Sequence, residues 1–391
     1  MKKLFQSLIF QLLMAVILGA VVGLYCNKGV MSVLVTVKYV LGQIIFFCIP
    51  LIIIGFIAPS ITKFKSNASK MLGLALILAY ASSVGAALLS TVSGYGIIPH
   101  LNIDSNVSGL RALPELVFKL DIPPIMSVMS ALVFSIFIGL AVSWTNSSTS
   151  EKLLNEFQQI VLQIVAKFII PILPPFIGTT FAGLAYEGSL SKQLPVFLTV
   201  ILIVIVGHYI WMGVLYGIAG IYSRKNPAEV FKHYGPAYLT AVGTMSSAAT
   251  LGVALTCARK SEVLRKDCID FGIPLFANIH LCGSVLTETF FVMVVSSILY
   301  GKLPSIGTML LFILLLGIFA IGAPGIPGGT VMASLGLIVS VLGFDQTGTA
   351  LMLTIFALQD SFGTACNITG DGALTLILSA YADKKFGKSV Q

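Results

Sequence analysis

Charge is what this sequence has least of. Asp, Glu, Lys and Arg make up only 10% of its 391 residues, against about 25% in a soluble domain. So few charges cannot clothe a water-facing surface, which excludes an ordinary soluble fold. Histidine is scarce too, with four in all, and the six cysteines (Cys26, Cys48, Cys257, Cys268, Cys282 and Cys366) follow neither a paired nor a metal-binding spacing. They lie mostly in apolar sequence and are expected to pack as small hydrophobes, with no disulfide and no structural metal. No nucleophile–base pairing and no paired metal motif stands out, so an enzyme is not expected. The basic excess, a net charge of +8, is not a nucleic-acid footprint, because the lysines and arginines sit in short clusters between apolar runs.

Apolar length is what the chain has in plenty. It is 57% hydrophobic, with a mean hydropathy of +0.99. Apolar stretches of about 20 residues, the length that crosses roughly 30 Å of hydrocarbon, recur along the whole chain. This predicts an all-α integral membrane protein, a single polytopic domain over 1–391 set in a lipid bilayer. Spans are expected near 4–25, 34–60, 70–96, 122–144, 153–184 and 194–222, with 97–121 a more polar external loop of partial structure. Met1-Lys2-Lys3 reads as the flank of a first span rather than of a removed signal. Basic clusters mark one side: Lys63, Lys65 and Lys70; Arg224, Lys225 and Lys232; Arg259, Lys260, Arg265 and Lys266; Lys384, Lys385 and Lys388. The alternate loops hold only Lys28, Arg111, Lys119, Lys192 and Lys302. By the positive-inside rule both termini are expected in the cytoplasm, with the chain in the cell membrane.

The second half does not read as ordinary spans. Residues 234–258 carry no charge, yet their middle is Gly243-Thr244-Met245-Ser246-Ser247-Ala248-Ala249-Thr250. Each arm beside that tip has about nine residues, too few to cross. Basic clusters flank both ends, so a re-entrant helical hairpin entering from the cytoplasm fits better than a span. Residues 303–344 are also free of charge, 42 in a row, and as one helix would extend about 63 Å, twice the membrane core. The break is Gly322-Ala323-Pro324-Gly325-Ile326-Pro327-Gly328-Gly329, whose two prolines and four glycines cannot continue a helix. Two full spans or a hairpin from outside would both return the chain to the same side, and the short second arm favours the hairpin. Irregular backbone at membrane depth is tolerated only inside protein or beside a wet cavity. Two broken segments in corresponding places, one on each side, suggest inverted repeats with a transporter binding site between them.

Residues 360–371, Asp-Ser-Phe-Gly-Thr-Ala-Cys-Asn-Ile-Thr-Gly-Asp, interrupt the apolar runs 346–359 and 372–382. At about 100° per residue, Asp360, Thr364, Asn367 and Asp371 fall on one narrow stripe. An acid at mid-bilayer costs about 2.5–3.5 kcal/mol, and no basic residue lies nearby in sequence. Two acids on one face therefore need a cation or a positively charged ligand, with a helix-packing hydrogen-bond network as the plainer alternative. The preceding span, about 270–299, carries Asn278, His280, Cys282, Ser284 and Glu288. His280, Ser284 and Glu288 recur every four residues and could share a helical face. Glu288, isolated in apolar sequence, has the setting of a proton carrier; a carboxyl bonded to a neighbouring hydroxyl is the alternative. His280 reads equally well as a packing residue. His208 is expected to be a satisfied packing residue, and His100 and His233 to face solvent.

These segments resemble the dicarboxylate/amino acid:cation symporter family, the glutamate-transporter family, over most of the chain and most strongly from about 236 to 383. The family's last span has the pattern Asp-x-x-Arg-Thr-x-x-Asn-x-x-Gly-Asp, matched in register by Asp360, Thr364, Asn367, Gly370 and Asp371. Gly325-Ile326-Pro327-Gly328 resembles the tip of the family's second hairpin, and Ser246-Ser247 the serine-rich tip of the first. The resemblance implies eight transmembrane helices plus two re-entrant hairpins, and a homotrimer. It implies an elevator-type transporter whose core, mainly 71–96 and 194–391, moves against a scaffold, mainly 1–70 and 122–184. It further implies that Asp360 holds a substrate amino group. Ser246, Ser247, Ser284, Ile326, Gly328, Gly329, Gly363, Thr364 and Asn367 would complete the substrate site, the hairpin-tip amides being suited to a carboxylate. Asp371 would bind sodium, with Asn367, Asn278, His280, Ser82 and Ser83 at the cation sites.

The departures from the pattern shape the expected function. The family arginine that reads an acidic side chain is Gly363 here, Met245 stands where some members carry Arg, and no other Arg or Lys sits in this core. A second substrate carboxylate would be buried unpaired, at several kcal/mol. The expected small-molecule substrate is therefore a neutral amino acid such as serine, threonine or alanine, with a dicarboxylate or acidic amino acid as the alternative. The family's Asn-Met-Asp-Gly-Thr motif reads His280-Leu281-Cys282-Gly283-Ser284, and neutral imidazole and thiol are poor ligands for a hard cation. Glu288 sits where proton-coupled acidic amino-acid members carry Glu. The expectation is a secondary active symporter without a cofactor, coupled to fewer sodium ions, with a proton as the candidate second coupling ion. A channel and a non-transporting sensor are the rival classes.

Overall fold

In a computed structural model of the chain, the described residues are 8–62, 70–101, 111–188, 190–323, 325 and 327–386. The basic residues Lys2, Lys3, Lys63, Lys65 and Lys388 and Ile326, expected at the substrate site, lie outside them. Among the described residues there are fifteen α-helices and no strand. In chain order they are α1 (Leu8–Tyr25), α2 (Lys28–Thr62), α3 (Lys70–Ile97), α4 (Val128–Thr145), α5 (Ser148–Ile164), α6 (Ile170–Glu187) and α7 (Leu190–Ser223). The second half contributes α8 (Pro227–Phe231), α9 (Gly235–Thr244), α10 (Ser247–Ala258), α11 (Lys266–Ile279) and α12 (Cys282–Tyr300). It closes with α13 (Ile306–Gly322), α14 (Gly329–Ser340) and α15 (Gln346–Phe386).

Local chemistry sets the helix boundaries that hydropathy left approximate. The expected span 34–60 begins earlier, at Lys28, because Asn27 Oδ1 accepts the Val30 N–H at 2.9 Å, an N-cap. The expected span 122–144 begins later, because Pro123 and Pro124 occupy non-helical chain until Ser127 caps α4 by accepting the Ser130 N–H. The expected span 153–184 runs from the Ser147 cap through α5, a π-helical turn at Val165–Ile169, and α6. The non-helical chain at 111–127, which takes in the end of the expected loop 97–121, lies along α2, where Thr36 Oγ1 accepts the Val117 N–H and Gln43 Oε1 the Ile122 N–H. Among the described residues, five helical stretches are long and apolar enough to cross a membrane: α2, α3, α5 with α6, α7, and α11 with α12.

The helical face expected to be shared by His280, Ser284 and Glu288 does not form. Residues 270–299 are not a single helix. His280 (φ −112°, ψ 101°) and Leu281 (φ −120°, ψ 39°) leave the helical region and separate α11 from α12. His280 therefore does not share a helical face with Ser284 and Glu288. The two glycine-containing breaks have helices on both sides: α9 and α10 meet at Met245–Ser246, and α13 and α14 at residues 323–328. In each case the two helices pack against one another.

Packing falls into two sets. α4, α5 and α6 gather around α2, and α1 is laid along α6. α15 is wrapped by α7, α9, α11 and α12, and α3 lies along α12. α12 is buried on all sides from Cys282 to Ser296, as a helix apolar around its circumference must be. Between the sets, α14 packs on α2. In the first set, an added Cβ at Gly19 would lie 2.1 Å from the Gly178 oxygen, and one at Gly23 2.2 Å from the Ala182 oxygen. Small residues one turn apart let two backbones touch. Gly19→Leu is expected to force α1 off α6 and lower the melting midpoint of the solubilised chain, by about 1–3 kcal/mol in stability. The same change at Gly73, where an added Cβ meets nothing within 4 Å, should leave the midpoint in place; differential scanning fluorimetry of both variants checks this.

Two of the basic clusters, at 224–232 and 259–266, hold ion pairs with acids. Lys225 and Arg265 both bind Asp383, at 3.0 and 3.2 Å, joining the end of α7 and the link before α11 to the end of α15. His233, expected to face solvent, is half-buried against Glu229. Burial pushes the Glu229 carboxyl up, but the Ser261 hydroxyl, the Glu262 N–H and His233, with Lys232 alongside, hold it below the usual value of 4.5. This anchor of the 259–265 link is complete above that value and is lost as pH falls through the lower, folded one.

Candidate functional site

The polar stripe lies within one unbroken helix, α15, and Asp360, Thr364, Asn367 and Asp371 are all buried. Asp360, Asn367 and Asp371 each reach toward a place where another helix is interrupted. Asp360 Oδ2 accepts the Gly328 N–H at 2.7 Å. Gly328 precedes α14 at φ +70°, a conformation glycine adopts without strain, so a carboxylate faces the start of a helix, its favourable electrostatic end. The break between α9 and α10 arrives at the same place. Ser246 Oγ donates to the Gly325 carbonyl at 2.7 Å, and the Ala248 N–H donates to it at 3.2 Å. Ser246 also caps α10 by accepting the Ala249 N–H. The two tips, distant in sequence, are in direct contact. Ser247 and Met245 are buried beside them.

Asn367 explains the interruption of α11–α12. A helix start leaves its first N–H groups without intrahelical acceptors. Asn367 Oδ1 accepts from Gly283 N–H at 2.7 Å and Ser284 N–H at 3.2 Å, while its Nδ2 donates to Ser284 Oγ at 2.9 Å. A side chain of α15 thus caps α12 from outside. Next to it, His280 Nδ1–H donates to Asp371 Oδ1 at 2.9 Å, the carboxylate being an acceptor, and its Nε2 is hydrogen-bonded to the Ser82 hydroxyl at 2.8 Å. Ser82, His280 and Asp371 are all buried. The second Asp371 oxygen and Ser83 Oγ are buried with no hydrogen-bond partner.

The other residues expected at the site divide. Ser284, Gly329 and Thr364 are buried with the stripe. Gly363 is pressed against α12, where an added Cβ would stand 3.3 Å from Ser284 Cα and N. Glu288 is fully buried on the next turn of α12; the Ser334 hydroxyl donates to its Oε1, and its Oε2 has no partner. Its carboxyl is thus bonded to a neighbouring hydroxyl, with one oxygen left over. Asn278 is not brought to the cluster: it is exposed, and its amide donates to the Pro274 carbonyl of its own helix.

A second buried polar chain was missed from sequence. His208 Nε2 lies 3.0 Å from the Gly283 carbonyl and 2.9 Å from Thr287 Oγ1, and Thr287 Oγ1 lies 2.9 Å from Gln359 Oε1. It runs from α7 through α12 to α15. Gln359, a long amide inside an apolar run and adjacent to Asp360, was the available signal. His208 is buried, as expected of a packing residue, but only one of its ring nitrogens is bonded.

The profile of the sodium:dicarboxylate symporter family matches residues 8–381. Excitatory amino acid transporter 2 of Mus musculus is 28% identical over 254 residues, covering 63% of this chain and 43% of the relative. The Homo sapiens protein of that name is 27% identical with the same coverage. The chain therefore spans under half the length of these curated relatives. The family match has no such gap: it runs from the first described helix to the last, through both interrupted pairs and the α15 stripe, and the chain belongs to the sodium:dicarboxylate symporter family.

Proposed function

We propose that this chain is a secondary active symporter of a cell membrane that carries a small neutral amino acid together with sodium. Asp360 carries the reading. It is a buried carboxylate whose one bonded oxygen takes a backbone N–H, at the meeting point of two helix breaks. Burying it without a positive partner is expensive, and an ammonium group supplies one. No Lys or Arg occurs anywhere in 267–301 or 303–383, so an acidic side chain on the substrate would find no cation there. α9, α10 and α14, at 10, 12 and 12 residues, are too short to cross about 30 Å, which supports two re-entrant hairpins among eight spans. The two packing sets support a scaffold and a moving transport core of elevator type, a homotrimer follows the family resemblance, and the basic clusters support both termini in the cytoplasm.

A melting-midpoint screen of the purified chain, with and without sodium, tests the substrate class, because a ligand of the native state raises apparent stability. Serine, threonine or alanine should raise the midpoint in sodium. A shift with aspartate, glutamate or succinate alone would instead select the second reading, an acidic amino acid or dicarboxylate symporter, which the family's name and relatives named for excitatory amino acids favour. Binding without flux in proteoliposomes would mark a sensor, and flux without saturable exchange a channel.

Glu288 is the proposed proton carrier, supported by its complete burial and its one unbonded oxygen. Counterflow with sodium and pH gradients imposed separately should respond to both in the wild type, and Glu288→Gln should abolish the pH response. Transport indifferent to pH in both proteins would remove the proton from the scheme.

A further inference from the structure

Where the family resemblance puts a cation among Ser82, Ser83, His280 and Asp371, the donor set of this chain does not fit one. A hard cation collects about six or more oxygens with lone pairs turned inward. Here the arrangement is reversed. The His280 Nδ1–H points a hydrogen at Asp371 Oδ1 over 2.9 Å, and the Ser82 hydroxyl is taken up by a hydrogen bond with Nε2 over 2.8 Å. The ring also fills the space. A Cβ on Gly370 would lie 2.9 Å from His280 Cε1 and 3.5 Å from the sulfur of Cys282, itself fully buried and a poor hard-cation ligand. Of these four residues' side-chain oxygens, two are unbonded, Ser83 Oγ and Asp371 Oδ2, and two fall short of a coordination shell.

We propose that His280 permanently takes the place of one transported cation, its ring N–H meeting the Asp371 carboxylate that an ion would otherwise neutralise, so that this chain binds one sodium fewer than the same fold without the imidazole. The inference deepens the symport reading by fixing which coupling position is lost, and it accounts for two departures from the motif together. The imidazole needs a small neighbour, and a carboxylate in place of Cys282 would compete with Asp371 for the same ring. The hydrogen-bonded chain also joins α3, the α11–α12 break and α15, a bridge that a mobile ion would make only when bound.

Equilibrium binding of radioactive sodium to the purified full-length chain, counted per protomer at saturation, tests it without any amino acid present. His280→Asn, which returns an amide oxygen and removes the ring, should gain about one sodium per chain over the wild type. Equal counts in two proteins that both melt cooperatively would overturn the proposal. Should His280→Asn fail to fold, Cys282→Asp decides: with the imidazole still in place the added carboxylate should gain no sodium, and a gain would show that the ring excludes nothing. A wild type that binds no sodium at all would remove sodium from the proposed function while leaving this comparison intact, since the variant's gain is read against the wild type's own count.

Discussion

Asp360→Asn is expected to weaken binding of a neutral amino acid on the order of a hundredfold while leaving the ligand-free protein folded. The asparagine Oδ1 can still accept the Gly328 N–H that Asp360 Oδ2 accepts at 2.7 Å, so the start of α14 keeps its acceptor. What disappears is the charge. Removing one member of a buried, hydrogen-bonded charge pair costs about 2–5 kcal/mol in binding. Asp360→Ala differs, because it also leaves the Gly328 N–H bare and should lower the ligand-free midpoint. The measurement is the midpoint as a function of serine or alanine concentration in sodium. If Asp360→Asn binds as tightly as the wild type, the carboxylate is only part of the packing network that the sequence left open as an alternative.

The largest structural effect is expected at Gly283. A Cβ there would stand 2.4 Å from the Gly363 carbonyl oxygen and 2.5 Å from Cys366 Cβ. Both are close to the α15 backbone and cannot turn aside as a long side chain would. Gly283→Ala must therefore push α12 away from α15, which stretches the 2.7 Å bond from Gly283 N–H to Asn367. Overpacking alone costs about 1–3 kcal/mol, and each lost bond to a buried group adds about 1 kcal/mol or more. The variant should melt far below the wild type or without cooperativity. Gly252→Ala is the control, since an added Cβ there meets nothing within 4 Å. A normal midpoint for Gly283→Ala would mean that α12 and α15 are not held as closely as described.

Much of this architecture was legible in one dimension because the signals were local. A run of 42 uncharged residues with two prolines and four glycines at its centre has to break there, and helix periodicity alone placed Asp360, Thr364, Asn367 and Asp371 on one side of α15. The interruption at His280–Leu281 was not legible. Neither residue is a helix breaker, and the cause is Asn367, a side chain on another helix that caps α12 from outside. The partners of the acids were hidden for the same reason. His280 on Asp371, Ser82 on His280 and Ser334 on Glu288 each join segments far apart in sequence, so no spacing within one segment could reveal them. Asn278 shows the converse: a plausible ligand by proximity in sequence to His280, it sits just before the end of α11 and turns outward.

The Gly325 carbonyl serves both tips at once, accepting from Ser246 Oγ and from the Ala248 N–H. Neither tip can retreat without stripping the other of its partner, and a bare buried carbonyl or amide costs about 1–3 kcal/mol. Something polar has to arrive as the contact parts. Parting and wetting are then one event, and the two tips stay latched until another polar group takes over the shared carbonyl.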